Sequence, residues 1–219
     1  MTSSDAPTAL DEPDPAPVAR PDATDADDRP AGRRCFGDGD PVYERYHDEE
    51  WGRPVHGERE LYERLTLEAF QSGLAWITIL RRREGFRAAF ADFDPAVVAG
   101  YDEADVERLM GDTGIIRNRA KITAAIANAR ALLDLHGAGL SLDALFWSAA
   151  PDPTVPRPQP RTFADVPATT PESAALAKTL KRHGFRFVGP TTAYAAMQAC
   201  GVVDDHLADC PVVLARDAG

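Results

Sequence analysis

Four side chains near the two ends of the apolar part of the sequence have the chemistry of transition-metal ligands: Cys35 with His47, and His206 with Cys210. Thiolate and imidazole are what structural zinc sites use, four of them closing a tetrahedral shell. His206 and Cys210 stand four residues apart, which places both on one helix face if that segment is helical. Eleven residues separate Cys35 from His47, a less regular spacing, and on spacing alone free thiols at Cys35 and Cys210 remain an open reading. A disulfide is the weakest alternative in a reducing compartment. Cys200 ends an apolar run from Ala193 and reads as core packing, while His56, His136 and His183, each beside a glycine, carry no assigned role.

A second constellation is Gly184-Phe-Arg-Phe-Val-Gly189-Pro-Thr-Thr192, flanked by Lys178, Lys181, Arg182 and Arg186. A glycine-bearing turn between two helices can aim backbone N–H groups outward, and the positive pole of the following helix turns that into a phosphate clamp. Gly189, Arg186 and Lys181 are the candidate nucleic-acid contacts on this reading. The plainer alternative is an αα-corner with glycine at the helix ends.

These groups need a helical scaffold, and the spacing of apolar residues supplies one. Leu61, Leu65, Phe70 and Leu74, then Ile77 and Leu80, recur at helical intervals, and after Gly57 little in the sequence alternates with the period of a strand. Asp94-Pro95 and Thr170-Pro171 each pair a capping side chain with a proline at the first helical position. Asp102 through Asp105 has the form of a capping box, and Lys121 to Leu135 is one long amphipathic helix expected to stop at His136-Gly137. Thr170 to Arg182 forms a helix, a tight turn follows at His183-Gly184, and another helix starts near Gly189-Pro190. Between these blocks, Pro151 to Pro160 is a linker without regular structure. The fold class is all-α.

Composition sets limits on partners. No stretch approaches the roughly 18 unbroken apolar residues of a membrane helix, and the start lacks a basic region followed by an apolar run, so a cytoplasmic protein with no membrane partner is expected. Residues 1–32 are rich in Pro, Ala and Asp with almost no large apolar groups, and are expected to be a disordered acidic tail ahead of a folded unit over residues 33–215. The net charge of −11 argues at first against nucleic acid, whose phosphates demand cations. Yet residues 1–34 hold eight acidic groups and four arginines, which leaves −7 on the rest. The positive charge of that remainder is clustered, at Arg81-Arg82-Arg83 with Arg87, at Arg117 to Lys121, and at Lys178 to Arg186. Each cluster is either part of a basic groove or an ordinary solvated helix face.

Four separated blocks carry a family resemblance: Tyr46-His-Asp-Glu-Glu-Trp-Gly52, Leu67-Glu-Ala-Phe-Gln-Ser-Gly-Leu-Ala-Trp-Ile77, Gly114-Ile-Ile-Arg-Asn-Arg-Ala-Lys-Ile122, and Phe185 to Gly201 followed by Val203-Asp-Asp-His206. The sequence resembles the 3-methyladenine DNA glycosylase I family of the helix-hairpin-helix glycosylases, from Cys35 to Cys210. The resemblance implies two helical lobes with a base pocket between them and a structural Zn2+ on Cys35, His47, His206 and Cys210. It implies a substrate site in which Glu68 hydrogen-bonds the damaged base, accepting from its exocyclic amine and a ring N–H, while Tyr46 and Trp76 stack around it. It also implies the activity: hydrolysis of the bond between 3-methyladenine and deoxyribose in double-stranded DNA containing alkylated adenine, by a monomer acting in base-excision repair. Other outcomes left open are a glycosylase for another alkylated base and a non-catalytic damage-binding module. Two positions depart from the family pattern. Phe36-Gly37 follows Cys35 where the family commonly has Trp two positions after that cysteine, and Asp204 stands where this family often has Asn and related glycosylases place a catalytic carboxylate. Asp204 is therefore a candidate catalytic residue alongside Glu68, its alternatives being a helix cap or a hydrogen bond that steadies His206.

Overall fold

A computed structural model describes residues 32–217, so the expected acidic tail lies almost entirely outside the described residues. Among these, no strand occurs, as the apolar spacing requires. Helix starts follow the side chains that can satisfy free backbone N–H groups. Asp40 accepts from Val42 and Tyr43 N–H to open α1 (Pro41–Glu49), and Asp94 does the same for α5 (Pro95–Ala99). Asp102 and Asp105 form a full capping box at α6 (Glu103–Gly111), and Thr170 with Ser173 forms one at α9 (Pro171–Arg182).

The hydrophobic interior centres on α2 (Glu58–Gln71) and α7 (Arg119–Gly137), which pack together with α10 (Pro190–Ala199), α9 and α8 (Leu142–Trp147). Phe70, Phe86 of α4 (Arg83–Ala89), Phe90 and Phe93 make a continuous ring stack inside this core, with Phe90 and Phe93 nearly parallel at 8°. A second, smaller cluster gathers Cys35, Tyr46, Trp51, Leu80, Leu207, Cys210, Val212 and Val213. It joins α1 to α3 (Trp76–Leu80) and α11 (Pro211–Asp217). Trp76 packs against both clusters and so lies at their seam.

The helix boundaries differ from the sequence expectation at three places. α7 begins earlier than Lys121, because Asn118 caps it by accepting from the Lys121 N–H, and it runs through His136 and Gly137. Leu74 falls in the turn between α2 and α3, not on a helix face. His206 and Cys210 do not share a helix, since 202–210 is irregular and α11 starts only at Pro211. A proline fits the first turn of a helix and opposes continuation from upstream, so the chain reaches Cys210 in an open conformation. The Pro-rich linker is irregular as expected. Arg157 ties it down by donating to Asp205 at 2.6 Å and to the Tyr194 hydroxyl at 2.9 Å.

Gly201, which turns the chain out of α10, has φ +67°, and a Cβ built on it would lie 2.5 Å from the Arg53 carbonyl oxygen. A left-handed alanine costs about 1–2 kcal/mol and overpacking about 1–3 kcal/mol more. Gly201→Ala is therefore expected to destabilise the fold by about 2–5 kcal/mol. A denaturant midpoint within error of wild type would refute this packing argument.

Candidate active site and candidate metal centre

Glu68 occupies the third turn of α2 and is 5% exposed. Its carboxyl makes no hydrogen bond among the described residues, and burial raises its pKa to about 8, with Arg64 pulling the other way. The charge of Glu68 in turn acts on Tyr43 and Tyr46 of α1 and on Cys200, groups that must lie around it. Burial pushes the Cys200 thiol up to about 12, so this cysteine is inert packing, as its apolar run suggested.

Aromatic rings line the same region. Tyr46 and Trp76 are 5.3 Å apart between centroids and tilted by 45°. Phe36 packs 4.9 Å from Tyr43, 5.0 Å from Trp51 and 6.4 Å from Tyr46, so it lies in the aromatic group that the family pattern fills with tryptophan. The Trp76 indole N–H is buried without a hydrogen-bond partner among the described residues. Trp51 forms a wall between this cluster and the candidate ligands, with its ring 4.6 Å from that of His206.

Three groups tie together the elements around Glu68 and the rings. Glu50 takes both Arg83 guanidinium nitrogens, at 2.5 and 2.8 Å, and Arg64 at 3.1 Å, which ties the end of α1 to α2 and α4. Lys121 of α7 donates to the Phe70 and Ser72 carbonyls at 2.9 and 2.7 Å, placing a cation at the C-terminal pole of α2. Gln71 donates to the Leu74 carbonyl at 3.0 Å and so steadies the turn that delivers Trp76. Sequence reasoning assigned none of these a role. For Lys121 the signal was a cation inside a family block, shared with Arg117 and Arg119, and its partners are unrelated carbonyls distant in sequence.

The candidate ligands converge in part. Ligand atoms of Cys35, His47 and Cys210 all lie within 4.8 Å of one another. The Cys210 thiol sits 3.5 Å from His47 Nε2, and the Leu207 N–H donates to the Cys35 sulfur at 3.2 Å. Hydrogen bonding with Cys35, opposed by burial and reinforced by His47, lowers the Cys210 thiol from its usual range. His206 borders the group, its ring 4.9 Å from that of His47 and its Nε2 3.3 Å from the His47 carbonyl oxygen. Each imidazole is oriented by a carboxylate on Nδ1: His47 by Asp48 at 2.8 Å and His206 by Asp204 at 2.7 Å. That leaves the His47 Nε2 in the ligand group, where it accepts from the Cys35 N–H at 3.1 Å, and the His206 Nε2 beside the His47 carbonyl; carboxylates on Nδ1 are how metal-ligating histidines are commonly oriented. Buried cysteine and imidazole donors of this kind suit zinc.

Asp204 is committed to His206, accepting from both its backbone N–H and its Nδ1, and to Arg216 at 2.6 Å. Although burial works against ionisation, the bonds from His206 and Arg216 hold this carboxylate well below its usual range.

At the hairpin, α9 ends in Gly184 with φ +88°, and Gly189 caps α10. The basic clusters differ in what they meet, although Arg82 and Lys121 bond backbone carbonyls instead of carboxylates. Arg81 pairs with Asp40, Arg83 with Glu50, Arg87 with Glu63 and Glu84, and Arg119 with Glu103 and Glu107. Lys178, Lys181, Arg182 and Arg186 enter no ion pair among the described residues, and the first three line an open groove with Pro190 of about 480 Å³.

A helical fold with a buried carboxyl among rings, beside a cysteine and imidazole cluster, is that of a defined family. The methyladenine glycosylase family model matches residues 36–213, and the chain belongs to that family. The chain is 48% identical over 172 residues to DNA-3-methyladenine glycosylase 1 of Escherichia coli, covering 78% of this chain and 91% of that protein. Among solved structures, a 3-methyladenine DNA glycosylase I superposes with a TM-score of 0.77 at 48% identity, covering 81% and 98% of the two chains. A Staphylococcus aureus 3-methyladenine DNA glycosylase I, solved to explain its recognition of 3-methyladenine, gives 0.76 at 36% identity over 81% and 94%.

The raised pKa of Glu68 has a measurable consequence. Between the ordinary glutamate value near 4.5 and about 8 the folded chain keeps a proton that the unfolded chain releases, so this group makes stability fall as pH rises through that window. Glu68→Gln removes the slope. The melting temperature of the variant relative to wild type should increase from pH 5 to pH 8.5, and a difference constant across that range would show that Glu68 is not desolvated.

Proposed function

We propose that the chain is a monofunctional DNA glycosylase that hydrolyses the bond between 3-methyladenine and deoxyribose in alkylated DNA, as a monomer with the two-lobed helix-hairpin-helix arrangement. The observation that carries this reading is Glu68, buried, without a hydrogen-bond partner among the described residues and with its pKa raised by burial, beside the ring group of Tyr46, Trp76 and Phe36 in a chain of this family. A protonated carboxyl offers one donor and one acceptor. The edge of adenine that carries N7 and the 6-amino group offers the reverse pair. Glu68 thus reads the purine edge with its hydroxyl on the ring nitrogen and its carbonyl accepting from the amine, in place of the double acceptance expected of a carboxylate. The unpartnered Trp76 N–H supplies a further donor at the pocket wall.

A base must leave the duplex stack before it can be cut, and stacking on aromatic side chains offsets that cost by about 1–3 kcal/mol per base. The N3-methylated nucleotide is cationic, so electron-rich rings favour it over adenine. Water adds at C1′ as the C1′–N bond breaks; the bonding pair passes to the ring, which leaves neutral, and the water proton goes to solvent. Because alkylation already makes this bond labile, binding the departing base more tightly in the transition state suffices, and no lysine nucleophile is required. The uncompensated cations at Lys181 and Arg186, with the Gly189 helix start, hold the phosphate backbone independent of sequence.

Cys35, His47, His206 and Cys210 would hold a structural zinc, which when bound supplies a rigid tie between the chain ends and no reaction step. Asp204 serves this site by orienting His206.

Incubating methylated duplex DNA with the pure protein and separating the products should give free 3-methyladenine. DNA binding without released base would leave a damage-binding module, and release of other bases alone would move the specificity elsewhere. Trp76→Ala should weaken free 3-methyladenine binding by about 5- to 150-fold, the equivalent of one lost stack. Calorimetric titration giving wild-type affinity would remove Trp76 from the pocket.

Freshly purified protein is expected to contain one zinc per chain. Cys210→Ser should lose it together with thermal stability, since metal binding and folding are coupled. Asp204→Asn separates positioning from catalysis: weaker zinc retention with single-turnover excision within a few-fold of wild type is expected. A large fall in excision at full zinc content would make Asp204 catalytic.

A further inference from the structure

The hairpin between α9 and α10 is irregular backbone, and its polar groups need partners from elsewhere. Phe185 and Val188 anchor it to the core, 3% and 0% exposed. Between them Arg186 is exposed and Phe187 takes φ +54°, a left-handed conformation that a bulky residue adopts only when its surroundings impose it. The imposing group is on a different element. Asn128, in the middle of α7 and 1% exposed, accepts from the Arg186 N–H at 2.7 Å and donates to the Arg186 carbonyl at 3.1 Å. One amide side chain thus closes both backbone valences of a single turn residue.

We infer that Asn128 is the positioning residue of the DNA-contacting hairpin: its paired hydrogen bonds fix the Arg186 backbone, present the Arg186 side chain outward, and set the angle at which Gly189 starts α10. This rests on the reading that the hairpin grips phosphate. The geometry supports the assignment in three ways. An amide buried to this degree in the apolar face of α7 is costly unless both its ends are satisfied, and here the hairpin satisfies them. Rotation about Arg186 is blocked from both sides, which is what the adjacent left-handed Phe187 requires. The residues thereby oriented belong to the basic cluster that meets no internal carboxylate.

The test uses the full chain with two readouts, binding of an undamaged DNA duplex and binding of free 3-methyladenine. Asn128→Asp keeps size and the acceptor for Arg186 N–H but opposes the carbonyl; Asn128→Ser leaves both groups unpaired with less repulsion. Each should weaken duplex binding by about tenfold or more while free-base binding stays within about twofold. Arg186→Ala and bulky replacement of Gly189 are run beside them to test the hairpin itself. If these weaken duplex binding and neither Asn128 variant does, Asn128 is ordinary packing and the inference falls. It falls equally if the Asn128 variants lose duplex and base binding to the same extent. If none of the four changes duplex affinity, the hairpin does not contact DNA, and both readings fall. Should Asn128→Asp not fold, the Ser variant alone decides.

Discussion

The aromatic cluster that forms one wall of the pocket is assembled from both ends of the described chain. Tyr46 and Trp51 come from the first helix and the turn after it, Leu207, Val212 and Val213 from the last 15 residues, with α3 and Phe163 contributing from between. Such a cluster has no local reason to form. Closing a loop of this length costs entropy, which burial of this apolar cluster offsets, and Cys35, His47 and Cys210 meet beside the rings with the Leu207 N–H seated on the Cys35 sulfur. If the ends separated, Tyr46 would lose its support against Trp76, and Glu68 would be open to water.

That dependence explains where the charges of α1, α2 and α4 go. Glu50 holds Arg64 and Arg83 together, and Asp40 both caps α1 and meets Arg81. These pairs bind α1 to the larger core in places where no apolar contact could reach. The consequence for a protein of net charge −11 is that most of its arginine clusters are consumed internally. Lys178 to Arg186 is different because these cations enter no ion pair among the described residues, the one carboxylate of α9 being Glu172 in its first turn, and the α10 start adds the positive pole of a helix beside them. An acidic protein can in this way keep a locally basic face.

Most of the helices were legible from punctuation. Asp94-Pro95, Thr170-Pro171 and the box at Asp102 act through hydrogen bonds three residues long, and local chemistry decides them. The segment around His206 departs from the helical expectation because i, i+4 spacing is satisfied equally by a turn whose shape is set by tertiary packing, and Pro211 had more weight than the spacing. The pocket was not legible from composition at all. Glu68 has the look of a surface carboxylate on an amphipathic helix, and only resemblance singled it out; its burial depends on α1, α3 and α10 closing around it. Asn128 and Lys121 stayed unmarked for the same reason, since a side chain that bonds to backbone about 50 residues away leaves no periodic trace.

The buried state of Glu68 also bears on how one pocket separates a lesion from the great excess of normal bases. Burial among apolar groups disfavours the anion and raises the pKa of Glu68. Adenine presents the same N7 and amine edge as its methylated form, so hydrogen bonds from Glu68 alone discriminate little between them. The difference lies in charge. On the proposed reading, a cationic base set against the faces of Tyr46 and Trp76 gains an attraction that neutral adenine does not. The burial that raises the Glu68 pKa would strengthen this attraction too, so on that reading recognition of the edge and of the charge both depend on the two apolar clusters meeting at Trp76.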